Sequence, residues 1–300
     1  SLNALAVGET GLVFVGGQWT GEFEQTPVNG GCQGSDHAYV QAVKANGDPS
    51  WLQCFGGTAE VEAIDVNSDG YIAVAGSYEN GINLGAGVVN SAGGTDIFVA
   101  VLAPDGTIVW GGSYGSPQAD RGLGVAIDDD GIVYLSGSFR GVVAFGSHSV
   151  SAPVGANLFL TRIDGGTPSW ARQLDNGGVS PTLRLAIRRG ADGPIVGAGS
   201  FDGVLDVDST GPELPVTAVS QTDAFTVGFN VIGNPTFFNP IGADLRQEAN
   251  GIQSSAGAFF VAGVFAGSVD FDTPSGPLPA LDSQGDLAAF GLTYDYGGTL

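Results

Sequence analysis

One phrase recurs five times along the chain and limits the folds that it can adopt. Each copy contains a turn glycine, a second glycine six residues later and an aromatic residue two positions after that. Successive copies lie 59 to 64 residues apart. The positions are Gly11, Gly17 and Trp19; Gly70, Gly76 and Tyr78; Gly131, Gly137 and Phe139; Gly193, Gly199 and Phe201; and Gly257, Gly263 and Phe265. A period of this length indicates a repeat architecture.

The third copy shows the repeating unit most clearly. It predicts a short apolar strand at 124–128, a hairpin turn at 129–131, a second strand at 132–139, a polar loop at 146–156, a third strand at 157–163 and a fourth beginning near Trp170. Four antiparallel strands cannot bury two apolar faces alone, so neighbouring units must stack, as the blades of a β-propeller do. We therefore expect an all-β domain over residues 1–300, with five four-stranded blades near 1–55, 56–114, 115–174, 175–241 and 242–300.

Three stretches resemble a known bacterial repeat. The segments GVAIDDDGIVYLSGSFRGVVAFG, GGTDIFVAVLAPDGTIVW and GGSYG are similar to the β-propeller repeat often called SBBP, which occurs in secreted and surface proteins. The resemblance covers the whole chain and is strongest in the second and third copies. It implies a propeller outside the cell. The family name implies seven blades, whereas this chain holds five copies.

Composition and charge narrow the classes of partner. The chain has 31 acidic and 9 basic residues, for a net charge of −22. Such a field repels nucleic acid and anionic membranes and attracts cations. No apolar run reaches the roughly 18 residues that a membrane span needs. The chain begins at Ser1 without a basic and apolar leader, so we expect either a removed signal peptide or a position inside a longer protein.

Two acidic patterns are candidate calcium sites. Asp65, Asn67 and Asp69, followed by Gly70, match the first half of a calcium loop, but Gly76 stands where that loop places its bidentate glutamate. Turn chemistry alone also favours aspartate and glycine here. The second pattern places two carboxylates at positions i and i+2 after the second strand of three blades, where a solvated edge is the alternative. These pairs are Glu22 and Glu24, Asp206 and Asp208, and Asp270 and Asp272.

The two cysteines and a group of arginines are the other candidate sites. Cys32 and Cys54 lie in the first copy, and we predict a disulfide between them, which would contribute about 3 kcal/mol in the chain-entropy model. Two separate, half-buried thiols are the alternative. Arg184, Arg188 and Arg189 interrupt the fourth copy. Two interpretations of these arginines are open: a binding site for an anion, and an ion pair with an acidic residue within the ring.

Nothing in the sequence has the pattern of a catalytic centre. The inner-strand carboxylates that the pattern identifies are Asp65 and Asp128, both near turns, and His37 and His148 lie away from any nucleophile motif. We therefore expect a non-catalytic, secreted or cell-surface module that binds a glycan or a protein through loops near 24–36, 85–95, 146–156, 208–222 and 272–285. The alternatives are a structural module that self-associates through the seam between its first and last blades, and a polysaccharide hydrolase with axial carboxylates.

Overall fold

The chain folds as a five-bladed β-propeller in the computed structural model. The structure describes residues 1–21, 37–178, 180–188, 193–207, 215–218, 222–242, 245–269, 272–273, 276–277 and 281–300. No helix occurs in these residues, so none of them forms a helical membrane span. The predicted fold class is confirmed.

Each blade is an antiparallel sheet whose strands follow chain order from the axis outward. Blade 1 contains β1 (Ala4–Val7), β2 (Val13–Trp19), β3 (His37–Val43) and β4 (Pro49–Gly56). Blade 2 contains β5 (Thr58–Val66), β6 (Ile72–Glu79), β9 (Asp96–Leu102) and β10 (Ile108–Tyr114), with a small hairpin of β7 (Gly81–Asn83) and β8 (Val88–Asn90) between its second and third strands.

Blades 3 and 4 repeat this arrangement. Blade 3 contains β11 (Arg121–Ile127), β12 (Val133–Phe145), β13 (His148–Asp164) and β14 (Thr167–Gly178). Blade 4 contains β15 (Thr182–Ile187), β16 (Ile195–Phe201), β19 (Asp223–Phe229) and β20 (Pro235–Ile241), with the hairpin of β17 (Val204–Leu205) and β18 (Val216–Thr217) inserted.

Blade 5 differs from the others in its outer edge. It contains β21 (Gln247–Ser254), β22 (Ala258–Val269) and β25 (Leu281–Asp295), with the short pair β23 (Asp272–Thr273) and β24 (Gly276–Pro277) between the last two. In the described residues this sheet has three strands, whereas each of the other four has four.

The prediction of a polar loop at 146–156 is wrong. Strands β12 and β13 continue past the blade as one long hairpin, with Gly141 paired with Ala152 and Phe145 paired with His148. Val143, Phe145 and Val150 are buried in this extension, whereas Ser149 and Ser151 are exposed. Alternate residues therefore pack inward. The serines gave the segment the composition of a loop, although its alternation is that of a strand.

Four of the five hydrophobic clusters in the described residues join two consecutive blades, and the fifth, around Tyr39, Leu52 and Cys54, lies within blade 1. Blades 1 and 2 share the first, blades 2 and 3 the second, blades 3 and 4 the third, and blades 4 and 5 the fourth. Fully buried aromatic residues from matched strands fill them: Phe55, Phe98, Phe139, Phe159, Phe201 and Phe225. Each blade therefore buries its apolar faces against its neighbours, as the repeat predicts.

A second contact, which we call the clasp, also joins consecutive blades. The first aromatic residue of each outer strand lies over the glycine in the turn that follows the third strand of the next blade. A Cβ atom added to that glycine would lie 2.5 to 3.5 Å from the ring. The pairs are Trp51 with Gly106, Trp110 with Gly166, Trp170 with Gly233, and Phe237 with Gly298. All four glycines have positive φ, so the turn and the clasp both favour glycine.

Candidate functional site

One face of the propeller, here called the loop face, collects the polar side chains. Each inner strand begins at this face, each second strand ends there and each third strand begins there, as the pairings of Thr58 with Glu79 and of Tyr78 with Asp96 show. The inserted hairpins β7–β8 and β17–β18 also emerge here, because they connect second strands to third strands. Loops on a rigid scaffold are where binding residues are expected.

The five inner strands surround a narrow cavity on the axis. Its volume is about 140 Å³, and residues of β5, β11, β15, β21 and the start of the chain line it, including Asn3, Glu62, Arg184 and Asn250. Register shifts interrupt β5 between Val61 and Ala63 and β21 between Ala249 and Gly251. These β-bulges turn Glu62 and Asn250 toward the axis.

An ion-pair network occupies one side of this cavity. The Glu62 carboxylate pairs with the guanidinium of Arg121 and lies 4.0 Å from that of Arg184. Arg184 also donates hydrogen bonds of 2.8 Å to the carbonyl oxygens of Glu62 and Leu123. Burial lowers the pKa of Arg184, and Glu62 opposes that shift. The network joins blades 2, 3 and 4.

Two larger clefts open on the loop face. The first, cleft A, has a volume of about 390 Å³ and lies at the junction of blades 2 and 3. Thr58, Glu60, Ser77, Glu79, Thr95 and Arg121 contribute its polar lining. Thr95 donates a hydrogen bond of 3.1 Å to Glu79, and Asn3 donates one of 2.6 Å to Glu60. The Ser77 hydroxyl is buried and has no hydrogen-bond partner among the described residues.

The second, cleft B, occupies the matching position between blades 4 and 5. Its volume is about 410 Å³, and its lining consists of Ser180, Thr182, Ser200, Asp202, Thr222, Glu248 and Asn250. The Thr182 and Ser200 hydroxyls lie 2.8 Å apart. Within the Gly-Ser-aromatic phrase Ser200 corresponds to Ser77, and Asp202 corresponds to Glu79.

The same backbone contact lies beside both clefts. The amide of Asp120 donates to the Thr95 carbonyl at 2.7 Å, and the amide of Gln247 donates to the Thr222 carbonyl at 2.8 Å. Each bond holds the first strand of the next blade beside a cleft. Both clefts fall within the size range of ligand sites, roughly 300 to 1,000 Å³.

The residues of the candidate calcium loop lie on the opposite face and join blades 2 and 3. Asp65 accepts a hydrogen bond of 2.9 Å from the Ile127 amide. The Asn67 side chain accepts from the Tyr71 amide at 2.9 Å and donates to the Asp128 carbonyl at 3.2 Å. Asp69 is exposed. Among the described residues no three acidic, histidine or cysteine side chains form a metal-binding group. Calcium binding by this motif stays a prediction.

The paired carboxylates fall mostly outside the described residues. Asp206 is half-buried after β17, and Asp272 begins β23. Glu22, Glu24, Asp208 and Asp270 lie outside the described residues. The prediction of a cation at these pairs therefore stays untested.

The structure separates Arg184 from Arg188. Arg184 is on the axis, whereas Arg188 follows the other end of β15 and places its guanidinium 5.5 Å from the ring centre of Tyr296. Arg189 lies outside the described residues. Of the two interpretations given for the arginines, the contacts of Arg184 with Glu62 correspond to the ion pair within the ring, which requires no bound anion.

The structure describes one of the two cysteines of the predicted disulfide. Cys54 is fully buried in β4, beside Tyr39 and Leu52. Cys32 lies outside the described residues, so the bond stays a prediction.

The sequence pattern missed several inner-strand acids. Strand β5 begins at Thr58 and therefore contains Glu60 and Glu62, while β21 contains Glu248. Sequence reasoning had placed inner-strand carboxylates only at Asp65 and Asp128. The alternation of Glu60 and Glu62 with Ala59, Val61 and Ala63 marks these residues as strand, and that signal could have extended β5 toward the loop face.

A buried polar position also recurs at the start of the third strands. His37, Asp96, Asn157 and Asp223 each pair with the aromatic residue of the repeat. All four are buried, and Asp96 accepts a hydrogen bond from the Ala92 amide at 2.5 Å. Burial raises the pKa of Asp96 and that of the neighbouring Asp120.

Comparisons with known proteins identify no family for this chain. No protein-family model matches the chain, and no curated protein matches it. Among solved structures, a protein of unknown function from Bacteroides caccae is 8% identical with a TM-score of 0.48, over 98% of this chain and 81% of that one. Virginiamycin B lyase from Staphylococcus aureus is 12% identical with a TM-score of 0.39, over 96% and 83%. A streptogramin B lyase is 11% identical with a TM-score of 0.38, over 99% and 85%. Identities this low assign no activity to this chain.

Proposed function

We propose that the protein is a non-catalytic binding module that recognises glycans through clefts A and B. The supporting observation is the repetition of one polar cleft, with hydroxyl groups and a carboxylate at matched positions, in two blades. Hydroxyls and carboxylates together can donate to and accept from the hydroxyl groups of a sugar. Two weak sites on one rigid face would gain affinity for a polymer that reaches both.

The polar groups on the axis favour binding over hydrolysis. A glycosidase needs two carboxyl groups flanking the bond, one of them with a raised pKa. Here Glu62 is engaged by Arg121 and Arg184, and the axial cavity of about 140 Å³ is smaller than either cleft. The proposal places this module outside the cell, in keeping with the repeat that its sequence resembles, and leaves calcium as an added stabiliser.

The experiment is titration calorimetry with oligosaccharides selected on a glycan array, with and without calcium. We expect two sugars per chain, falling to one in Glu79→Ala, which alters cleft A, and to one in Asp202→Ala, which alters cleft B. The double variant should bind none. Arg140→Ala is the matched control, because Arg140 follows the aromatic residue of blade 3 but lines neither cleft. An array without binding in either condition, or a stoichiometry unchanged in the double variant, would overturn the proposal.

A further inference from the structure

Four polar positions are common to clefts A and B. Each cleft takes three hydroxyl groups and one carboxylate from these positions, which the strand pairings and the repeated phrase align. The pairs are Thr58 with Ser180, Ser77 with Ser200, Glu79 with Asp202, and Thr95 with Thr222. A sugar would therefore meet the same groups in both clefts at these positions.

The propeller fold does not itself require this set of groups. At the junction of blades 3 and 4, Arg140 occupies the position of Glu79, and Ala156 occupies that of Thr95. The blades also pack tightly there, with Phe201 fully buried. The polar set is therefore a property of the two clefts and not of every junction.

Two positions differ between the clefts. The residue that pairs with the cleft serine is Glu60 in cleft A and Thr182 in cleft B. The residue after the shared backbone contact is Arg121 in cleft A and Glu248 in cleft B. The second difference replaces a cation by an anion at one position of the repeat.

The contacts of Arg121 and Glu248 leave opposite groups in the clefts. Arg121 pairs with Glu62 through one nitrogen, and its side chain is 51% exposed. Since a guanidinium carries several N–H groups, Arg121 keeps donors for a ligand. Glu248 accepts both hydrogen bonds from Arg246, of 2.8 and 2.5 Å, on Oε1. No described residue donates to its Oε2, so cleft B keeps a charged acceptor.

We propose that cleft B selects a sugar that carries an ammonium group, whereas cleft A does not. This inference rests on the proposed binding of glycans and adds the chemical class that one cleft prefers. An ammonium group donates hydrogen bonds and accepts none, so it suits a cleft that contains the carboxylates of Asp202 and Glu248. Hydrogen bonds between charged groups are roughly twice as strong as neutral ones.

Arg121 gives cleft A a different preference. Its guanidinium repels an ammonium group and donates to oxygen acceptors, such as sugar hydroxyls and acetyl carbonyls. The net charge of −22 attracts cationic sugars to the whole surface, so it does not distinguish the clefts. The discrimination depends on the matched position at which Arg121 lines one cleft and Glu248 lines the other.

The test compares a short glucosamine oligomer with its N-acetylated form, which has the same backbone but no ammonium group. Both are titrated calorimetrically into the intact chain at a pH at which the amines are protonated. We expect one glucosamine oligomer to bind per chain, at least about tenfold more tightly than the acetylated form, because a charged hydrogen bond is added. Added salt should weaken binding of the glucosamine oligomer more than that of the acetylated form.

A variant of cleft B and a control outside both clefts locate the bound ammonium group. Glu248→Gln keeps the shape of the side chain and removes its charge, so it should reduce the preference for the glucosamine oligomer about tenfold. Asp164→Asn is the matched control, because Asp164 also pairs with an arginine two residues away, Arg162 at 3.2 Å, and lines neither cleft. This control should keep the full preference.

The outcomes separate this inference from the proposed function. Equal affinities for the two oligomers, or an equal loss of preference in the two variants, would overturn the inference. Glycan binding would stand in that case if the sugar selected on the array still occupied both clefts. Failure of every sugar to bind would overturn the proposed function as well.

Discussion

The junction between blades 3 and 4 and the seam between blades 5 and 1 are built from the same repeat but differ in packing. At the first, Leu158, Phe201 and Phe225 are fully buried, and Trp170 reaches across to donate a hydrogen bond of 3.1 Å to the Val231 carbonyl. At the seam, Leu5 and Val7 are 57% exposed, and no atom of the described residues lies within 4 Å of a Cβ added to Gly47, in the turn after β3. Apolar faces are present in both places, but in the described residues a clasp covers only the first.

The difference indicates what an individual blade lacks. A repeat buries its apolar faces only against neighbours, so its stability comes largely from interface terms. At four junctions the outer strand of one blade adds a clasp on the next, and at the seam it does not. Within the described residues the seam is therefore the least covered of the five junctions.

Removing one clasp should have the largest effect on stability. Trp170→Ala deletes a ring that packs on Gly233 and lies 6.3 Å from the ring of Tyr134. It also deletes the hydrogen bond to Val231. We expect a loss of about 3 kcal/mol in the free energy of unfolding, measured with denaturant.

Trp19→Ala is the control for this variant. Trp19 belongs to blade 1 and is 41% exposed, so its removal should cost less than about 1 kcal/mol. Equal losses in the two variants would show that the clasp adds nothing to ordinary aromatic burial.

The sequence predicted the blades well because each strand carries its own alternation. The turn glycines and the aromatic residues after them identified β6, β12 and β16 correctly. The long hairpin of β12 and β13 was missed because its serines resemble loop residues. The clefts were not predicted, since each depends on side chains from different blades that only the packing of neighbouring blades brings together. Likewise, Arg184 was recognised as unusual, but its partner Glu62 is 122 residues away, and no local pattern links them.

The axial ion pairs provide the next test, because they join blades 2, 3 and 4 but not the blades at the seam. Glu62→Gln would leave Arg184 without its carboxylate partner in a largely buried setting. We expect the free energy of unfolding to fall by about 2 kcal/mol, since a charged hydrogen bond is lost and a guanidinium stays desolvated. Glu248→Gln breaks the exposed pair with Arg246 and should change it by less than about 1 kcal/mol. An unchanged free energy of unfolding in Glu62→Gln would mean that packing alone stabilises the axis.

We expect the smallest effect on stability from the pH-dependent protonation of buried aspartates in blades 2 and 3. Burial raises the pKa of Asp96, Asp120 and Asp128 above that of an ordinary aspartate, near 3.9 in unfolded chains. Proton binding therefore favours the folded state. The stabilising contribution is full below the unfolded pKa and is lost as pH rises through the folded pKa. We expect the melting temperature to rise by a few degrees as the pH is lowered from neutral toward the unfolded pKa near 3.9, and relief of the overall negative charge adds to this trend.

Asp96→Asn identifies the source of that increase. One carboxylate oxygen of Asp96 accepts from the Ala92 amide, and the other is buried without a hydrogen-bond partner among the described residues. Asparagine can keep the first contact through its carbonyl while removing the buried charge. Its melting temperature should therefore depend less on pH than that of the parent chain, whereas Asp282→Asn, at an exposed position of β25, should leave the pH dependence unchanged. Equal slopes in all three proteins would attribute the pH effect to surface repulsion, because the buried acids would then contribute nothing that the net charge does not.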